Sequence, residues 1–356
     1  MSPAVARILD ANVNRAREAL RVMEDYARFG LDDPAGCEAL KALRHDLADC
    51  VRRLPAGELL AARDVPGDAG TAVSTASERH RPDALAVFTA AAKRLPEALR
   101  TLEEYAKTFD PELAGGLEGL RYRAYDAEQR IVMRGERSAR FARTRLYVLM
   151  TASLCGRPDW LWTAEEALAG GADCIQLREK GLDDSELLSR ALRLGELCRR
   201  RGVLFIVNDR PDIAVLAGAD GVHLGQTDLP VAAARRIVGP GALIGVSTHD
   251  PAQLRAAIAA GPDYIAVGPM FATATKPQQH LAGPELLALA TRETQIPIVP
   301  IGGITAGNAG VLVQAGARRL CVCSAVIAAA DPRAAARELA CRTQGLGTET
   351  GRRADA

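Results

Sequence analysis

Short apolar runs alternate with amphipathic segments from Arg145 to Ala325. The apolar runs have the length of β-strands, and the segments between them carry apolar residues at helical spacing. The predicted strands are Leu146–Met150, the run that ends at Lys180, Leu204–Val207, Gly221–Leu224, Leu243–Val246, Tyr264–Val267, Ile298–Ile301 and Leu320–Cys323. The predicted helices include Trp162–Ala169, Asp184–Arg201, Leu229–Val238, Pro251–Ala260 and Gly283–Thr294. This alternation predicts the α/β class, with a parallel sheet closed into a (β/α)8 TIM barrel.

Polar side chains follow nearly every predicted strand, at the end where such barrels carry their sites. The first set is Gln176, Arg178 and Lys180, which alternate and therefore point the same way along an extended strand. Arg offers a planar fork and Lys a point charge, a combination that suits phosphate or diphosphate. A solvated strand end is the simpler alternative for this set alone. Polar residues after the other strands favour a ligand site.

Six motifs in this region resemble those of the thiamine-phosphate synthase family. They are Gln176–Lys180, Asn208-Asp209, Asp220–Asp228, Gly245–His249, Gly268–Lys276 and Ile301–Ile304, in family order and near family spacing. The resemblance implies an enzyme that joins a pyrimidinylmethyl diphosphate to a thiazole phosphate and releases diphosphate. The family reaction is described as passing through a pyrimidinylmethyl cation. Charge that stabilises the departing diphosphate would then matter more than a nucleophilic side chain.

The resemblance also implies roles for the polar residues. Asp209 and Asp228 would hold Mg2+ on the diphosphate, although either one alone could be a helix N-cap. The catalytic cations would be Arg178, Lys180 and Lys276. The residues implied for binding of the pyrimidine diphosphate are Gln176, Arg178, Lys180, Asn208, Ser247 and Lys276.

The thiazole phosphate is expected on the other side of the barrel mouth. Thr273 and Thr275 match the family's thiazole-phosphate loop. Backbone amides around Gly303, Cys323 and Ser324 would cradle the phosphate at helix N-termini after the last two strands. An ordinary tight turn is the alternative interpretation of the Gly-Gly pair that ends at Gly303.

Two histidines and the last strand fit the family pattern less directly. His223 is interpreted as a structural residue at a strand end, and His249 is left without a role. The last strand departs from the family pattern, because it carries two arginines and two cysteines over Arg318–Cys323.

The region before the barrel contains an internal repeat. Arg15–Ala27 returns as Arg94–Ala106, with Arg, Glu and Tyr at matching positions. Each copy precedes a second helical stretch, Cys37–Leu54 or Leu117–Met133, and the region has no strand-like run. The pattern predicts a small all-α domain built from two related helical pairs. The repeated charges form either surface ion pairs or a shared polar cleft.

This region resembles a small helical family through Asp10–Arg21, Arg63–Thr71 and the second Glu-Ala-Leu-Arg copy. The family is regarded as an alternative hydroxymethylpyrimidine-phosphate kinase, and it occurs alone or fused to thiamine-phosphate synthase. The resemblance covers roughly Arg7–Arg130 and implies ATP as a substrate, with a product that the barrel would consume. The loop lacks a Walker-type sequence and is weak evidence alone. The candidate residues are Asn14, Arg15, Arg21, Asp64 and Asp68.

Two other interpretations stay open at this level. The helical domain could assist assembly without catalysis, and the barrel could be a thiazole tautomerase, a close relative of the synthase. The set of Lys180, Asp209, Asp228 and Lys276 argues against the tautomerase, because an isomerase needs no diphosphate clamp.

Composition and charge narrow the partners to small molecules. Lys and Arg number 45 and Asp and Glu 44, so no broad basic face argues for nucleic acid. No apolar run is long enough to span a membrane, and the start lacks the apolar core of a signal peptide. The eight cysteines show no Cys-x-x-Cys spacing, which favours reduced thiols in the cytoplasm. A homo-oligomer stays open.

The same patterns predict four divisions of the chain. A helical domain spans residues 1–137, a charged linker 138–144 and the barrel 145–341. The polar residues 342–356 form a tail that is predicted to be disordered.

Overall fold

The computed structural model describes residues 1–31, 33–64, 80–272 and 281–343. The chain divides into two compact units, Met1–Gly135 and Glu136–Ala356. The predicted site residues Asp68, Thr273, Thr275 and Lys276 lie outside the described residues, and so does most of the predicted tail. The roles assigned to them stay predictions.

The regular elements that the structure describes in the first unit are helices. They are α1 (Pro3–Asp25), a π-helical turn (Tyr26–Gly30), α2 (Pro34–Arg52), α3 (Ala56–Ala61), α4 (Ala84–Ala106) and the first part of α5 (Pro111–Arg143). Ser2 and Asp83 cap α1 and α4, because their side chains accept hydrogen bonds from backbone amides of the first turn. The repeated sequence lies on α1 and α4, which pack extensively against each other. The predicted all-α unit is confirmed.

A buried glutamate at the same position of each repeat joins the first helix of a pair to the second. Glu24 on α1 lies 3.4 Å from Nη1 of Arg44 on α2. Glu103 on α4 accepts a 3.0 Å hydrogen bond from Nε of Arg121 on α5. Burial alone would raise the pKa of Glu103, but hydrogen bonds from Arg121 and Lys107 bring it below its ordinary value. Each copy of the repeat is therefore a helical pair with a buried Glu–Arg interaction.

Eight parallel strands form the second unit. They are β1 (Leu146–Met150), β2 (Cys174–Leu177), β3 (Leu204–Asn208), β4 (Gly221–Leu224), β5 (Leu243–Thr248), β6 (Tyr264–Val267), β7 (Ile298–Pro300) and β8 (Leu320–Val322). Consecutive strands pair from β1 to β7, and β8 pairs with β1. An isolated parallel bridge between Ile301 and Cys321 brings the remaining two edges together. The predicted barrel is confirmed.

Helices follow the strands around the barrel. They are α6 (Trp160–Ala169), α7 (Asp184–Arg201), α8 (Pro211–Leu216), α9 (Val231–Val238), α10 (Pro251–Ala260), α11 (Gly283–Glu293), α12 (Ala309–Gln314), α13 (Ser324–Ile327) and α14 (Pro332–Arg342). The five predicted helices are present, with bounds close to those predicted. Among the described residues, no helix is both long and apolar enough to cross a membrane.

Strand alternation separates an outer apolar layer from an inner one. In β1, Val148 belongs to the layer between strands and helices, whereas Tyr147 and Leu149 belong to the layer on the barrel axis. Gly245 makes room for this inner layer, because a Cβ there would lie 2.0 Å from the ring of Tyr264. The inner layer forms the floor beneath the mouth of the barrel.

The structure corrects the predicted linker over 138–144. Helix α5 runs without a break to Arg143, and the boundary between the compact units falls after Gly135. Arg137 donates to the carboxylate of Asp220 at 3.2 Å and to the carbonyl of Gly241 at 2.9 Å. Phe141 is buried in the inner layer of the barrel. The charged residues that suggested a solvated linker therefore lie on a helix and form hydrogen bonds with residues of the barrel.

Arg319 shows why a charged residue is tolerated at the start of the last strand. Its buried guanidinium donates to the carbonyls of Thr144 at 3.3 Å, Ile298 at 3.4 Å and Ala142 at 3.2 Å. Two of these carbonyls lie at the end of α5, where helix carbonyls lack intrahelical partners and attract cations. The guanidinium carbon also lies 5.5 Å from the centre of the Phe141 ring. Arg319 therefore links the end of α5 to the barrel through hydrogen bonds.

Candidate active site

A cavity of about 610 Å3 opens at the carboxyl ends of the barrel strands. Ten predicted residues line it: Gln176, Arg178, Lys180, Asn208, Asp209, Asp228, Ser247, Gly303, Cys323 and Ser324. These are all the predicted barrel residues that lie in the described part of the chain. Parallel strands end at one rim, which is why residues spread over about 150 positions meet in one place.

Side chains continue to alternate in direction past the end of β2. Arg178 and Lys180 therefore face one way, and Glu179 between them faces the other. Arg178 and Lys180 line the cavity. Glu179 turns the other way, where its Oε1 accepts a 2.9 Å hydrogen bond from the amide of Ala152 and lies 3.0 Å from Arg190. Arg178 is half-buried and Lys180 exposed. Both cations are thus available to a ligand in the cavity.

Asp209 and Asp228 form a carboxylate pair at the ends of β3 and β4. The backbone of Asp209 has φ of 64°, a left-handed conformation that Asp tolerates better than most residues. Asp228 accepts a 2.6 Å hydrogen bond from the amide of Gly225. Burial raises the pKa of Asp209, and the nearby carboxyl of Asp228 raises it further. Lys180 opposes this shift, because its Nζ lies 3.2 Å from Asp209 Oδ2.

This pair fits a hard divalent cation. Two carboxylates that repel each other in a partly buried site are stabilised by a positive charge between them. Mg2+ prefers one or two carboxylates, with the remaining positions filled by water or phosphate oxygens. Across the described ranges, no three His, Cys, Asp or Glu side chains gather as a larger metal site. Further ligands would therefore come from a phosphate or from water.

A buried chain of hydrogen bonds crosses the barrel beneath the cavity. Gln176 Nε2 donates to Tyr147 Oη at 2.6 Å, and this hydroxyl lies 3.0 Å from Tyr264 Oη. Tyr264 Oη lies 3.0 Å from Nδ1 of His223, whose Nε2 lies 2.8 Å from Ser247 Oγ. If each hydroxyl donates to the next group, His223 accepts at Nδ1 and donates from Nε2. The proton of Ser247 is then left for a ligand.

The electrostatics of His223 agree with this order of donors. Burial lowers the pKa of His223 to about 4, while Asp228 raises it and Arg178 lowers it. The ring is therefore neutral near pH 7 and can accept one hydrogen bond while donating another. The interpretation of His223 as structural fits its burial but omits its bond to Ser247. The available signal was its position between Val222 and Leu224, which places it on the inner face of β4.

Three further residues of the site were missed. Tyr147 and Tyr264 form the middle of the hydrogen-bond chain, and a buried tyrosine in an apolar strand usually signals a partner for its hydroxyl. His249, which received no role, lines the cavity, and its Nδ1 lies 2.6 Å from the carbonyl oxygen of Gly268. Its place directly after β5 was the available signal.

The glycines on the opposite wall have a packing reason. Gly302 and Gly303 have φ of 98° and 66°, and a Cβ on Gly303 would lie 2.6 Å from the carbonyl oxygen of Ala272. Positive φ and this close approach both require glycine. The tight-turn interpretation therefore accounts for the pair, whether or not a ligand binds there.

The expected phosphate cradle is wrong in one part. Ser324 begins α13 directly after β8 and Cys323, as predicted. Residues 302–308, however, form a loop before α12, so no helix begins directly after β7. The positive φ angles of the two glycines turn the chain away from a helix, and Asn308 Nδ2 donates to the carbonyl of Gly303 at 2.8 Å. Gly303, Cys323 and Ser324 nevertheless line the same cavity.

The candidates in the helical unit are less closely grouped. On α1, Asn14 is half-buried, whereas Arg15 and Arg21 are exposed. The carbonyl of Asp64 accepts a 3.3 Å hydrogen bond from Arg7. Arg63 forms two 2.8 Å hydrogen bonds to Asp10. The chain near Asp64 is thus tied to the first half of α1, about one turn before Asn14.

The fold and the cavity define a class of protein. A parallel (β/α)8 barrel with cations, a carboxylate pair and hydrogen-bonding side chains at its mouth is typical of barrel enzymes that act on phosphate compounds. The family described as thiamine monophosphate synthase matches residues 146–326, and the ThiD2 family matches residues 7–130. The chain belongs to the thiamine-phosphate synthase family. Both resemblances drawn from the motifs are confirmed.

Full-length relatives share both units. A thiamine-phosphate synthase of Thermosynechococcus vestitus is 45% identical over 335 residues, which cover 94% of this chain and 93% of that protein. A thiamine-phosphate synthase of Rhodopirellula baltica is 43% identical and covers 91% of this chain and 89% of its own. The solved thiamine phosphate pyrophosphorylase of Pyrococcus furiosus is 35% identical, with a TM-score of 0.53. It covers 58% of this chain and 98% of its own.

Proposed function

We propose that the barrel joins a pyrimidinylmethyl diphosphate to a thiazole phosphate, with release of diphosphate and formation of thiamine phosphate. The observation that carries the proposal is the single cavity in which Arg178, Lys180 and the Asp209–Asp228 pair meet the hydrogen-bonding side chains. Cations and a metal-binding pair are what a departing diphosphate needs, whereas a simple isomerisation of a thiazole does not. The identity to full-length synthases supports the same reaction.

The chemistry follows from where charge develops. The bond between the methylene carbon and the diphosphate oxygen breaks, and its electron pair leaves with the diphosphate. The lone pair of the thiazole nitrogen then forms the new carbon–nitrogen bond. Arg178 and Lys180 line the cavity and stabilise the growing negative charge of the leaving group. Lys276 is proposed to add a third cation.

Asp209 and Asp228 would hold Mg2+ against this diphosphate. When bound, the ion supplies charge neutralisation on the phosphate oxygens. Lys180, 3.2 Å from Asp209, would bridge the carboxylate and the diphosphate. In this role it holds the carboxylate in place while it binds the leaving group.

The pyrimidine is proposed to bind through Gln176, Asn208 and Ser247. The buried chain directs one amide hydrogen of Gln176 away from the ligand and leaves the Ser247 hydroxyl proton free to donate. An amide and a hydroxyl with these orientations suit the ring nitrogens and amino group of a pyrimidine. The thiazole phosphate is proposed to bind near Gly303, Cys323 and Ser324, together with Thr273 and Thr275.

We propose that the helical unit phosphorylates hydroxymethylpyrimidine phosphate with Mg-ATP, which would supply the diphosphate used by the barrel. The match of residues 7–130 to the ThiD2 family supports this proposal. Asn14, Arg15, Arg21, Asp64 and Asp68 are the proposed binding residues. The competing proposal is that the unit only assists assembly.

Because all eight cysteines are free thiols, we propose that the protein works in the reducing cytoplasm.

A coupled assay separates these proposals. Full-length protein is incubated with Mg2+, thiazole phosphate and either the pyrimidine diphosphate or the pyrimidine monophosphate with ATP, and thiamine phosphate is measured. Product from the diphosphate supports the synthase, and product from the monophosphate also supports the kinase. No product from the diphosphate would overturn the synthase proposal. Product from the diphosphate alone would favour the assembly role of the helical unit.

A further inference from the structure

The ring of Tyr264 stands at the centre of an aromatic stack below the cavity. The ring of His223 stacks on it, with centres 5.5 Å apart and planes at 26°. The ring of Phe141 also stacks on it, with centres 4.4 Å apart and planes at 27°. Tyr264 is fully buried, and Gly245 leaves the space that its ring fills. The tilt of this ring therefore depends on its neighbours.

Phe141 is itself held firmly in place. It is 1% exposed and belongs to the last turn of α5, although it packs in the inner layer of the barrel. Arg319 lies over its ring, and the carbonyls of Ala142 and Thr144 bond the same arginine. The ring also meets Tyr147 edge-on, with centres 6.4 Å apart. Phe141 thus contacts both tyrosines whose hydroxyls form the buried chain.

We propose that Phe141 is a positioning residue for the synthase site. Its ring sets the tilt of the Tyr264 ring. The Tyr264 hydroxyl then orients two hydrogen-bonded pairs, His223 with Ser247 and Tyr147 with Gln176. The inference rests on the proposed synthase function. The rings that Phe141 contacts are those of Tyr147 and Tyr264, which lie below the cavity lining, so Phe141 acts through the stack. The geometric basis of the proposal is the buried chain of hydrogen bonds. Its two ends, Gln176 and Ser247, reach the cavity, and its middle packs on Phe141.

The test compares two leucine variants of the full-length protein. Phe141→Leu removes the ring that supports Tyr264. The matched control is Phe205→Leu, which removes an equally buried ring from the outer layer of the same barrel, away from the stack. For Phe141→Leu we expect kcat/KM for the pyrimidine diphosphate to fall about tenfold, the effect of one weakened buried hydrogen bond. The KM for thiazole phosphate should stay unchanged, and Phe205→Leu should alter neither value.

A double-mutant cycle asks whether the effect passes through Tyr264. Tyr264→Phe keeps the ring and removes the hydroxyl, so Phe141→Leu should add little to it in kcat/KM for the pyrimidine diphosphate. Additive losses, or equal kinetic losses in Phe141→Leu and Phe205→Leu, would overturn the proposal. If Phe141→Leu does not fold, Tyr264→Phe carries the test, and wild-type kinetics in that variant would overturn it.

The proposed function can fail separately. In that case the wild-type protein itself forms no thiamine phosphate, and binding replaces turnover as the measurement. Calorimetry with the pyrimidine diphosphate should then show weaker binding to Phe141→Leu than to Phe205→Leu. Equal affinities would overturn the positioning role.

Discussion

Asp209 is held in an arrangement that costs free energy. Its backbone has a positive φ, its carboxyl is partly buried, and the carboxyl of Asp228 raises its pKa. Burial and the neighbouring carboxyl disfavour the ionised form of Asp209, and the left-handed backbone adds strain. Features of this kind cluster at functional sites. A cation bound between the carboxylates would remove the repulsion. The pair is therefore a candidate for cation binding, and the repulsion between its two carboxyls opposes folding.

Replacement of either carboxylate should separate activity from stability. We expect Asp209→Asn and Asp228→Asn to lower the rate of thiamine phosphate synthesis by at least about a hundredfold, because charge at the leaving group is lost. Thermal stability should not fall, because the two carboxyls no longer repel each other. Asp212→Asn is the matched control, since Asp212 is exposed and pairs with Arg210 outside the cavity. Wild-type rates at limiting Mg2+ in both site variants would exclude the metal assignment.

His223 should make the stability of the barrel depend on pH. Its folded pKa of about 4 lies below the ordinary value of 6.5, because burial disfavours the charged ring. Above pH 6.5 the ring is neutral in both the folded and unfolded states, and its contribution is fully present. As the pH falls from 6.5 towards 4, the unfolded chain binds a proton that the folded chain does not. The contribution is then lost, by about 3 kcal/mol at most.

Urea unfolding of wild type and His223→Gln at several pH values measures this effect. Both tryptophans of the chain, Trp160 and Trp162, lie on α6, so their fluorescence reports the barrel unit alone. The free energy of unfolding of wild type relative to the variant should be constant above pH 7 and decrease between pH 6.5 and 4. A difference that does not change over that range would mean that His223 does not titrate as its burial implies.

At the scale of elements, the last two turns of α5 belong to the barrel. Arg137 and Arg140 bond the Asp220 carboxylate and the Gly202 carbonyl, respectively, and Phe141 fills the inner layer. Arg319 depends on the carbonyls of Ala142 and Thr144. A buried guanidinium without acceptors is strongly destabilising. The barrel should therefore require these turns, although every predicted catalytic motif lies after them.

Two fragments test this dependence. We expect residues 136–356 to fold and to make thiamine phosphate from the pyrimidine diphosphate. Residues 145–356 keep all the site motifs but lose Phe141 and two partners of Arg319, so their free energy of unfolding should be lower by at least about 3 kcal/mol. Urea unfolding monitored by tryptophan fluorescence compares the two. Equal midpoints would show that α5 contributes nothing to the barrel.

At the scale of the whole molecule, the chain combines two compact units that each have a hydrophobic core. The first unit ends at Gly135, and this boundary retains the buried pair of Arg134 with Asp33. The two buried Glu–Arg interactions also lie within this unit. The helical unit therefore has the contacts expected of a part that folds independently.

We expect residues 1–135 to phosphorylate hydroxymethylpyrimidine phosphate with Mg-ATP, because phosphoryl transfer requires mainly positioning and positive charge. The measurement is ADP release that depends on the pyrimidine phosphate. Arg21→Ala should lower the rate by at least about tenfold. Arg17→Ala is the matched control, an exposed arginine of the same helix that is not a candidate. A folded unit that binds neither substrate by calorimetry would favour the assembly role.

Sequence by itself determined the barrel and the rim of its cavity. Apolar runs and helical periodicity are local patterns, and parallel strands necessarily end at the same rim. The positions of Gln176 and Asn208 at the ends of their strands, and of Asp209 and Asp228 after theirs, were therefore sufficient to group them. The repeat likewise predicted paired helices, because its period and charges are visible in one dimension.

Only the tertiary structure decided what lies beneath that rim. Phe141 and Arg319 are separated by 178 positions and meet only because β8 pairs with β1 to close the barrel. The charges of residues 138–144 indicated a linker, whereas the segment is helical to Arg143 and bonds barrel groups that cannot be seen in the local sequence. The chain of hydrogen bonds that runs from Gln176 to Ser247 also forms only in the tertiary structure. Its tyrosines and His223 come from three strands, and only closure of the barrel brings their inner faces within hydrogen-bonding distance.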